Sequence, residues 1–225
     1  MSRLIVLDTE TTGLEVSDGH KIIEIGAVEL VDRRLTGNNY HQYLNPQREI
    51  DAGAVEIHGI TSEFLADKPL FDQVAQEFID YMQGADELII HNAPFDVGFL
   101  NAEFDRAGLK LKIGDMCKVS DSLALARSKY PGKRNSLDAL CDRLEINNSH
   151  RTLHGALLDS EILADVFLLL TGGQEHMSFD EPEALSSDVA GASTVSRGRF
   201  AVTKPSESEL QEHLKWCEQH KVAAW

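Results

Sequence analysis

The chain has 225 residues, of which 42% are hydrophobic and 26% are charged, and its formal net charge is −16. This composition predicts one large domain, or one domain with a tail, and no apolar stretch approaches the ~18 residues that a membrane span needs. The first residues show no signal-peptide pattern, and three widely spaced cysteines favour a reducing cytosol over a disulfide framework. The acidity argues against a protein that grips duplex nucleic acid through a basic face.

Strand-like patterns come first along the chain. The apolar run over residues 4–7 ends at Asp8 and predicts a first strand, and residues 22–30 and 40–44 predict two more. Turn-forming residues separate the second and third strands. These three strands predict an antiparallel meander.

Helix-like patterns follow the strands. Apolar residues at four-residue spacing predict a helix over residues 69–84, and residues 88–90 predict a short buried strand. Pro94 opens a helix that ends near Gly108, and two further helices are predicted over 136–144 and 155–170. The alternation predicts an α/β fold with a layered sheet.

The periodic pattern ends at Gly173, so a folded domain is predicted over 1–173. Residues 174–203 are rich in Ser, Glu, Asp, Gly and Ala and predict a linker. Residues 204–225 form a tail that regains helical character. Leu210, Leu214 and Cys217 fall on one face of the predicted helix, with Trp216 and Trp225 beside it. A helix this short has no core of its own, and we expect it to dock on a partner.

Asp8 and Glu10 are two carboxylates at the end of the first predicted strand. Positions i and i+2 of a strand project from the same face, whereas Thr9 points away. Close carboxylates repel each other, and a hard divalent cation such as Mg²⁺ or Mn²⁺ removes that repulsion. Solvation of a strand end is the other interpretation, although the glycine-containing loop after Glu10 lets a ligand approach closely.

Three more candidate residues each have a structural explanation when taken singly. Asp96 lies in the first turn of the helix at Pro94, where the helix dipole favours an acid. Asp159 is compatible with a solvated helix position, and His154 with a helix cap or a packing group. Their order in the chain after Asp8 and Glu10 is what points to a shared site.

This order resembles the histidine-containing branch of the DEDD exonuclease superfamily, and within it the proofreading subunits of bacterial DNA polymerase III. The resemblance spans residues 3–179, and its matching segments are VLDTETTGL, GHKIIEIGAVEL, RRLTGNN, VEIHGIT, HNAPFDVGF, PGKRNSLDALC and RTLHGALLDSEILA. It implies a ribonuclease-H-like mixed central sheet flanked by helices, with a flexible C-terminal tail that holds a short helix. The implied activity is 3′→5′ removal of nucleotides from a single-stranded DNA end.

The resemblance also implies two divalent cations, Mg²⁺ or Mn²⁺. By this analogy Asp8, Glu10 and Asp159 bind one ion, Asp8 also contacts the second, and Asp96 acts largely through water. Two ions roughly 3.5–4 Å apart stabilise both the attacking and the leaving oxygen of a phosphoryl displacement. His154 is the implied general base, since imidazole titrates near neutral pH.

The segment over residues 55–61 resembles the family's loop that contacts the terminal nucleotide. His58 is therefore the substrate-side candidate, although a loop-packing histidine is the other interpretation. The full set of implied substrate contacts is His58, Thr11, Leu14, Asp8, Glu10 and Asp159. Relatives often carry Asp-Pro-Glu-Ala where residues 51–54 read Asp-Ala-Gly-Ala, so a contact made by that glutamate has no counterpart at Gly53.

Basic residues outnumber acidic ones between Arg106 and Arg134, with eight Lys or Arg against two Asp. This excess has the sign that a phosphate track requires. A solubilising surface explains the same pattern, and the sequence leaves both interpretations open.

Two segments beyond the predicted domain indicate protein partners. Gln174–Phe179 resembles the short motif that docks on the bacterial sliding clamp, with Gln174 as a polar anchor and Met177 and Phe179 as apolar anchors. The tail 204–225 corresponds in place to the family's segment that binds the polymerase (alpha) subunit of DNA polymerase III. A small accessory subunit on the catalytic domain stays open, no membrane partner is expected, and the implied location is the bacterial cytoplasm at the replisome.

Two other functions are compatible with parts of this pattern. An RNA-trimming exonuclease of the same superfamily has the same catalytic residues, but the clamp-like motif and the long tail favour replication. A non-catalytic adaptor between clamp and polymerase needs no set of mutually repelling carboxylates, and the intact set therefore argues against it.

Overall fold

The computed structural model describes residues 2–149, 151, 153–172, 206–208, 211 and 213–215. Backbone contacts divide the chain into two units, Met1–Glu175 and His176–Trp225. In the second unit, residues 207, 208, 211 and 213–215 have helical backbone, in agreement with part of the helix predicted for the tail. The predicted linker, the clamp-like motif Gln174–Phe179, Trp216 and Trp225 lie outside the described residues.

The first unit is built on a mixed sheet of six strands. The strands are β1 (Arg3–Thr11), β2 (Ile22–Val31), β3 (Arg34–Leu35), β4 (Tyr40–Tyr43), β5 (Glu87–Ile90) and β6 (Lys118–Asp121). Their order is β3-β2-β1-β5-β6, and β4 also pairs with β2. β2 is antiparallel to β1 and β4, whereas β5 is parallel to β1 and β6. The predicted antiparallel meander is confirmed, with β3 as an additional short strand at the predicted turn.

Helices cover both faces of this sheet. They are α1 (Ala52–His58), α2 (Ser62–Leu65), α3 (Phe71–Met82), α4 (Ala93–Arg106), α5 (Ile113–Met116), α6 (Ser122–Lys129), α7 (Leu137–Leu144) and α8 (Ala156–Thr171). Successive strand residues face opposite sides, so Ile5 of β1 packs into the core with Phe78 of α3. Val6 packs on the other face with Leu163 of α8. The ribonuclease-H-like mixed sheet flanked by helices is therefore confirmed.

The prediction of a loop over residues 55–61 is wrong in part, because residues 55–58 belong to α1, which ends at His58. This helix has seven residues, and Gly53 and the β-branched Val55 and Ile57 lower its intrinsic helix propensity. Gly59 ends it in the left-handed conformation, with φ of 71°. None of the helices in the described part of the chain has the length and apolar character that crossing a bilayer requires.

The first turn of α8 lies directly against β2 at Gly26. A Cβ atom at Gly26 would be 2.1 Å from the backbone nitrogen of Leu157 and 2.2 Å from the carbonyl carbon of Ala156. Only a glycine admits so close an approach of two backbones. The contact places the start of α8 beside the last residues of β1.

Candidate active site

The five residues predicted as catalytic meet in one cleft at the carboxyl ends of β1 and β5. β1 supplies Asp8 and Glu10, α4 supplies Asp96, α8 supplies Asp159, and His154 precedes α8. The cleft has a volume of about 690 Å³. Its other lining residues are Thr9, His91, Phe95, Ser136, Leu137, Asp138 and Arg151. The carboxyl ends of sheet strands are the usual position of sites in α/β folds.

β1 continues through both of its carboxylates, farther than the apolar run indicates. Asp8 pairs with Gly26 and Glu10 with Glu24 of β2, and a register shift follows between Glu10 and Thr11. The two carboxylates therefore stand on a strand that is paired with β2 at both positions, while its pairing with β5 ends at Val6. A site on such an element is held more rigidly than one on a loop.

Thr9 ties the first strand to α4, a role that the sequence analysis missed. Its hydroxyl donates to Asp96 Oδ1 over 2.7 Å, and its backbone N–H donates to the same atom over 3.1 Å. Asp96 is 3% exposed, and burial raises its pKa to about 7 although the bonds from Thr9 lower it. Without cations, this acid is therefore held partly protonated near neutral pH.

Asp8 and Glu10 lie in an environment that disfavours their negative charge. Burial raises the pKa of Asp8 well above its usual value, and the carboxylates of Asp96, Glu10 and Asp159 raise it further. Burial, followed by the charge of Asp159, raises the pKa of Glu10 to about 8. Among the residues that the structure describes, no hydrogen-bond donor reaches either carboxylate.

This donor set fits a divalent metal ion. Ligand atoms of Glu10, His154 and Asp159 lie within 4.8 Å of one another. Carboxylate oxygens without protein donors are the ligands that hard cations prefer. A bound cation also relieves the repulsion that raises the pKa values of the acids, since an opposite charge favours the ionised form.

Asp159 differs from the other acids because Arg151 neutralises it. Arg151 Nε lies 2.5 Å from Oδ1 and Nη2 lies 2.6 Å from Oδ2, a bidentate pair. Burial raises the pKa of Asp159, but His154 and the Arg151 guanidinium more than offset this and lower it below its usual value. The sequence analysis missed Arg151, whose only signal is a basic residue three positions before His154.

His154 stands at the mouth of the cleft, with 44% of its side chain exposed. Its Nδ1 lies 3.3 Å from Asp159 Oδ2 and 2.8 Å from Arg151 Nη2. Its backbone N–H donates to the carbonyl oxygen of Ile57 over 3.1 Å, so the segment that carries it is fixed to α1. Its position beside the acids and open to water suits a group that exchanges protons with water.

A second pocket, of about 850 Å³, adjoins the cleft and shares Thr9, Glu10 and Phe95 with it. Thr11, Leu14 and His58, the predicted substrate contacts, all line this pocket. Leu14 is 75% exposed and provides an apolar edge. The structure thus brings these three residues together next to the carboxylates.

His58 is buried at the end of α1 and has one ring nitrogen without a partner. The backbone N–H of Ile60 donates to its Nδ1 over 3.0 Å, which leaves the ring proton on Nε2 when the ring is neutral. Within the described residues, Nε2 has no hydrogen-bond partner. Burial lowers the pKa of His58, so this ring is a neutral donor at the wall of the pocket.

In the basic segment from Arg106 to Arg134, some charges form ion pairs and others line a depression beside the cleft. Lys112 pairs with Asp105 over 2.7 Å and Lys118 with Glu87 over 2.9 Å, so these charges are compensated. Its other end lies in a depression that shares His91 and Ser136 with the cleft. The basic residues there are Arg127, Lys133 and Arg134.

Comparison with known proteins identifies similar sequences. The RNase_T family model, described as exonuclease, matches residues 5–167. The chain is 56% identical over 225 residues to the DNA polymerase III subunit epsilon of Pasteurella multocida, covering 96% of this chain and 88% of that protein. It is 53% identical over 223 residues to the Escherichia coli K12 protein of the same name, covering 95% and 91%.

Solved structures with the same fold include other exonucleases. Exonuclease X in complex with 5′ overhanging duplex DNA is 29% identical, with a TM-score of 0.58 over 75% of this chain and 91% of that one. A 3′-exonuclease that recognises a histone mRNA stem-loop is 22% identical, with a TM-score of 0.65 over 76% of this chain and 64% of that one. The second likeness concerns the fold alone.

Proposed function

Since the chain belongs to the epsilon-subunit family of DNA polymerase III and is a 3′→5′ exonuclease, we propose that it proofreads by two-metal hydrolysis in the cleft between β1, α4 and α8. The observation that carries the chemistry is the convergence of Asp8, Glu10, Asp96 and Asp159 from three elements. Burial raises the pKa values of Asp8, Glu10 and Asp96. Repulsion from neighbouring acids of the cleft raises those of Asp8 and Glu10 further, and divalent cations relieve that repulsion.

The residues that would hold the cations are the acids of the cleft. Asp8, Glu10 and Asp159 would hold one ion, Asp8 would also contact the second, and Asp96 would act through water. Mg²⁺ and Mn²⁺ both suit these oxygen ligands. When bound, two such ions supply charge neutralisation at the phosphate and a lower pKa for the attacking water.

His154 is the proposed general base. Its exposed ring lies at the edge of the acid cluster, where it removes a proton from the water that attacks the phosphorus. The bond from phosphorus to the 3′ oxygen of the next nucleotide breaks, which releases a nucleoside monophosphate. The link of His154 to the carbonyl oxygen of Ile57 holds the base between the acids and the second pocket.

The second pocket is the proposed position of the terminal nucleotide. Leu14 and Ile57 are exposed apolar residues that can contact the face of a base, and such contacts tolerate any base. His58 lines the same pocket and is the proposed polar contact to the nucleotide. Arg127, Lys133 and Arg134 extend a basic surface from the cleft along which the strand can continue.

The proposed partners are components of a replicating polymerase. The tail 204–225 binds the polymerase (alpha) subunit, and Gln174, Met177 and Phe179 bind the sliding clamp, which places the enzyme at the replisome in the bacterial cytoplasm. The names of the relatives support the association with DNA polymerase III. A net charge of −16 supports a protein that relies on such partners to stay on DNA. A small accessory subunit on the catalytic domain is compatible with this assembly.

The decisive experiment is hydrolysis of a labelled strand with Mg²⁺ or Mn²⁺. We expect nucleotides to be released from the 3′ end of DNA, faster from a mismatched than from a matched primer, and no release by Asp159→Asn. Faster hydrolysis of the same sequence as RNA would favour the RNA-trimming exonuclease instead. Absence of hydrolysis, with binding to clamp and polymerase retained, would favour the adaptor.

A further inference from the structure

Arg151 is a buried cation that lies among the acids proposed to bind metal. Only 7% of its side chain is exposed. Its Nε and Nη2 occupy both carboxylate oxygens of Asp159, and Nη2 also lies 2.8 Å from Nδ1 of His154. Since a guanidinium has donors and no acceptor, each of these contacts covers a lone pair of its neighbour.

The position of Arg151 conflicts with metal binding at the same acid. A cation at Asp159 needs at least one of its oxygens, and both already accept a hydrogen bond from Arg151. A bound divalent ion would also bring a second positive charge against the buried guanidinium. The two cations therefore compete for the charge and the lone pairs of one carboxylate.

Arg151 has a second anchor that lies outside the acid cluster. Its Nη1 lies 2.6 Å from Oδ1 of Asp138, a residue whose side chain is 58% exposed. Arg151 itself lies outside the helices and strands of the structure. The guanidinium can thus leave Asp159 by rotation of its side chain and still keep a carboxylate partner at the rim of the cleft.

We propose that Arg151 is an internal counter-ion that neutralises Asp159 in the metal-free enzyme and must be displaced before a divalent cation binds there. It keeps the acid cluster folded when metal is scarce, and it weakens the binding of the first cation by competition. Its release also removes the hydrogen bond to Nδ1 of His154, so metal binding changes the contacts of the proposed base. This inference rests on the metal site of the proposed function and assigns to Arg151 a positioning role.

The alternative is that Arg151 only supports Asp159 as a ligand. The two roles predict opposite changes in metal affinity. If Arg151 competes, its removal strengthens metal binding; if it supports the ligand, its removal weakens metal binding. The affinity of the full chain for Mn²⁺, in the absence of DNA, therefore distinguishes them.

The experiment compares wild type with Arg151→Gln and Arg151→Lys by titration calorimetry with Mn²⁺. We expect Arg151→Gln to bind the first ion about tenfold more tightly, because a charged hydrogen-bonded pair no longer has to be broken. Arg151→Lys keeps the charge but loses the bidentate geometry, and its affinity for Mn²⁺ should lie between those of wild type and Arg151→Gln. Lys112→Gln makes the same change in net charge at an exposed pair with Asp105 and should bind as wild type does.

Thermal unfolding supplies a second readout. In chelator, Arg151→Gln should melt at a lower temperature than wild type, because the buried acids lose their partner. Saturating Mn²⁺ should raise its melting temperature by more than it raises that of wild type. If the Gln variant does not fold in chelator, Arg151→Lys decides the question alone.

Equal or weaker Mn²⁺ binding by both variants would overturn the competing role. A wild-type protein that binds no Mn²⁺ would instead count against the proposed metal site itself. Asp159→Asn shows what that outcome looks like, because it removes the carboxylate for which Arg151 and the metal compete. The two failures are thus distinguishable in one set of titrations.

Discussion

The Ser160 hydroxyl donates a hydrogen bond to the carbonyl oxygen of Gly26 over 2.8 Å, and Ser160 is fully buried. This bond joins the first turns of α8 to β2, directly beside the pairing of Gly26 with Asp8. Asp159 is the neighbour of Ser160 in the chain. The spacing between the acids of β1 and the acid of α8 thus depends on how closely the helix approaches the sheet at Gly26.

Gly26→Ala should separate these acids. The added Cβ would meet backbone atoms of α8 at 2.1 Å and 2.2 Å, and backbone cannot move as a flexible side chain does. We expect a loss of about 2–3 kcal/mol in the free energy of unfolding and a large loss of exonuclease activity, measured by urea denaturation and by nucleotide release. Gly98→Ala is the matched control, since nothing lies within 4 Å of its added Cβ and it should be neutral or stabilising.

Thr9→Val should weaken the hold on Asp96 without changing the volume of the side chain. The hydroxyl that donates over 2.7 Å is lost, while the backbone N–H still donates. We expect a loss of about 1 kcal/mol in stability and a fall in kcat greater than any rise in KM for the DNA strand. Thr171→Val, which removes a hydroxyl bonded to the carbonyl oxygen of Phe167, should leave both kinetic constants unchanged; an equal loss in the two variants would contradict a role for Thr9 in the site.

Metal-free protein should lose stability as the pH rises. Glu10, with a pKa of about 8 instead of 4.5, and Asp96, with a pKa of about 7 instead of 3.8, hold protons in the folded state that the unfolded chain has already released. Between the pKa values of the unfolded chain and those of the folded protein, the unfolded state binds fewer protons, so the free energy of unfolding falls with rising pH.

Urea denaturation in chelator across this pH range measures the effect. Glu10→Gln cannot ionise at that position and should show a flatter dependence. Saturating Mn²⁺ should also flatten it, because the cation favours the ionised acids. A wild-type profile that stays flat in chelator would show that the acids are not held protonated.

His154→Ala should depress turnover far more than metal affinity. If the imidazole is a base, kcat falls by about 10²–10⁴-fold while Mn²⁺ titration changes little. The measurement combines single-turnover hydrolysis with calorimetry. Collapse of metal binding in this variant would assign His154 to the metal as a ligand, which its place in the cluster with Glu10 and Asp159 also allows.

Met177→Ala combined with Phe179→Ala should weaken binding to the sliding clamp. These side chains are the proposed apolar anchors of the segment Gln174–Phe179, and truncation of anchors that a partner buries typically costs 2 kcal/mol or more, roughly thirtyfold in affinity. Surface plasmon resonance on immobilised clamp measures the loss, and hydrolysis of free single strands serves as the control. Unchanged clamp affinity would reject this segment as the docking motif.

Periodicity predicted the elements with clear patterns and missed several short ones. β2, β5, α3, α4 and α8 lie where the apolar residues indicate, and β1 extends beyond its apolar run through Glu10. α1 and β6 have few residues and mixed character, so tertiary packing decides their conformation. Local pattern carries little information about such segments.

The acids of the site could be predicted from the sequence, whereas the residues that support them could not. Asp8, Glu10, Asp96, His154 and Asp159 occur in recognisable segments, and the structure brings them into one cleft. Thr9 acts on Asp96, which lies 87 positions away in the chain. Arg151 acts on Asp159, eight positions away, through the path that the chain takes into α8. Such contacts follow from the fold and have no spacing that a sequence can display.

The acids of the cleft come from the first and the last elements of the domain in chain order, so they are synthesised far apart in time. Asp8 and Glu10 belong to the first strand to leave the ribosome, whereas Asp159 belongs to the last helix. α8 supplies the core of one face of the sheet, so that face cannot close until the helix has emerged. A nascent chain therefore holds only part of the proposed metal site, and we expect nuclease activity only after nearly the whole domain has been translated.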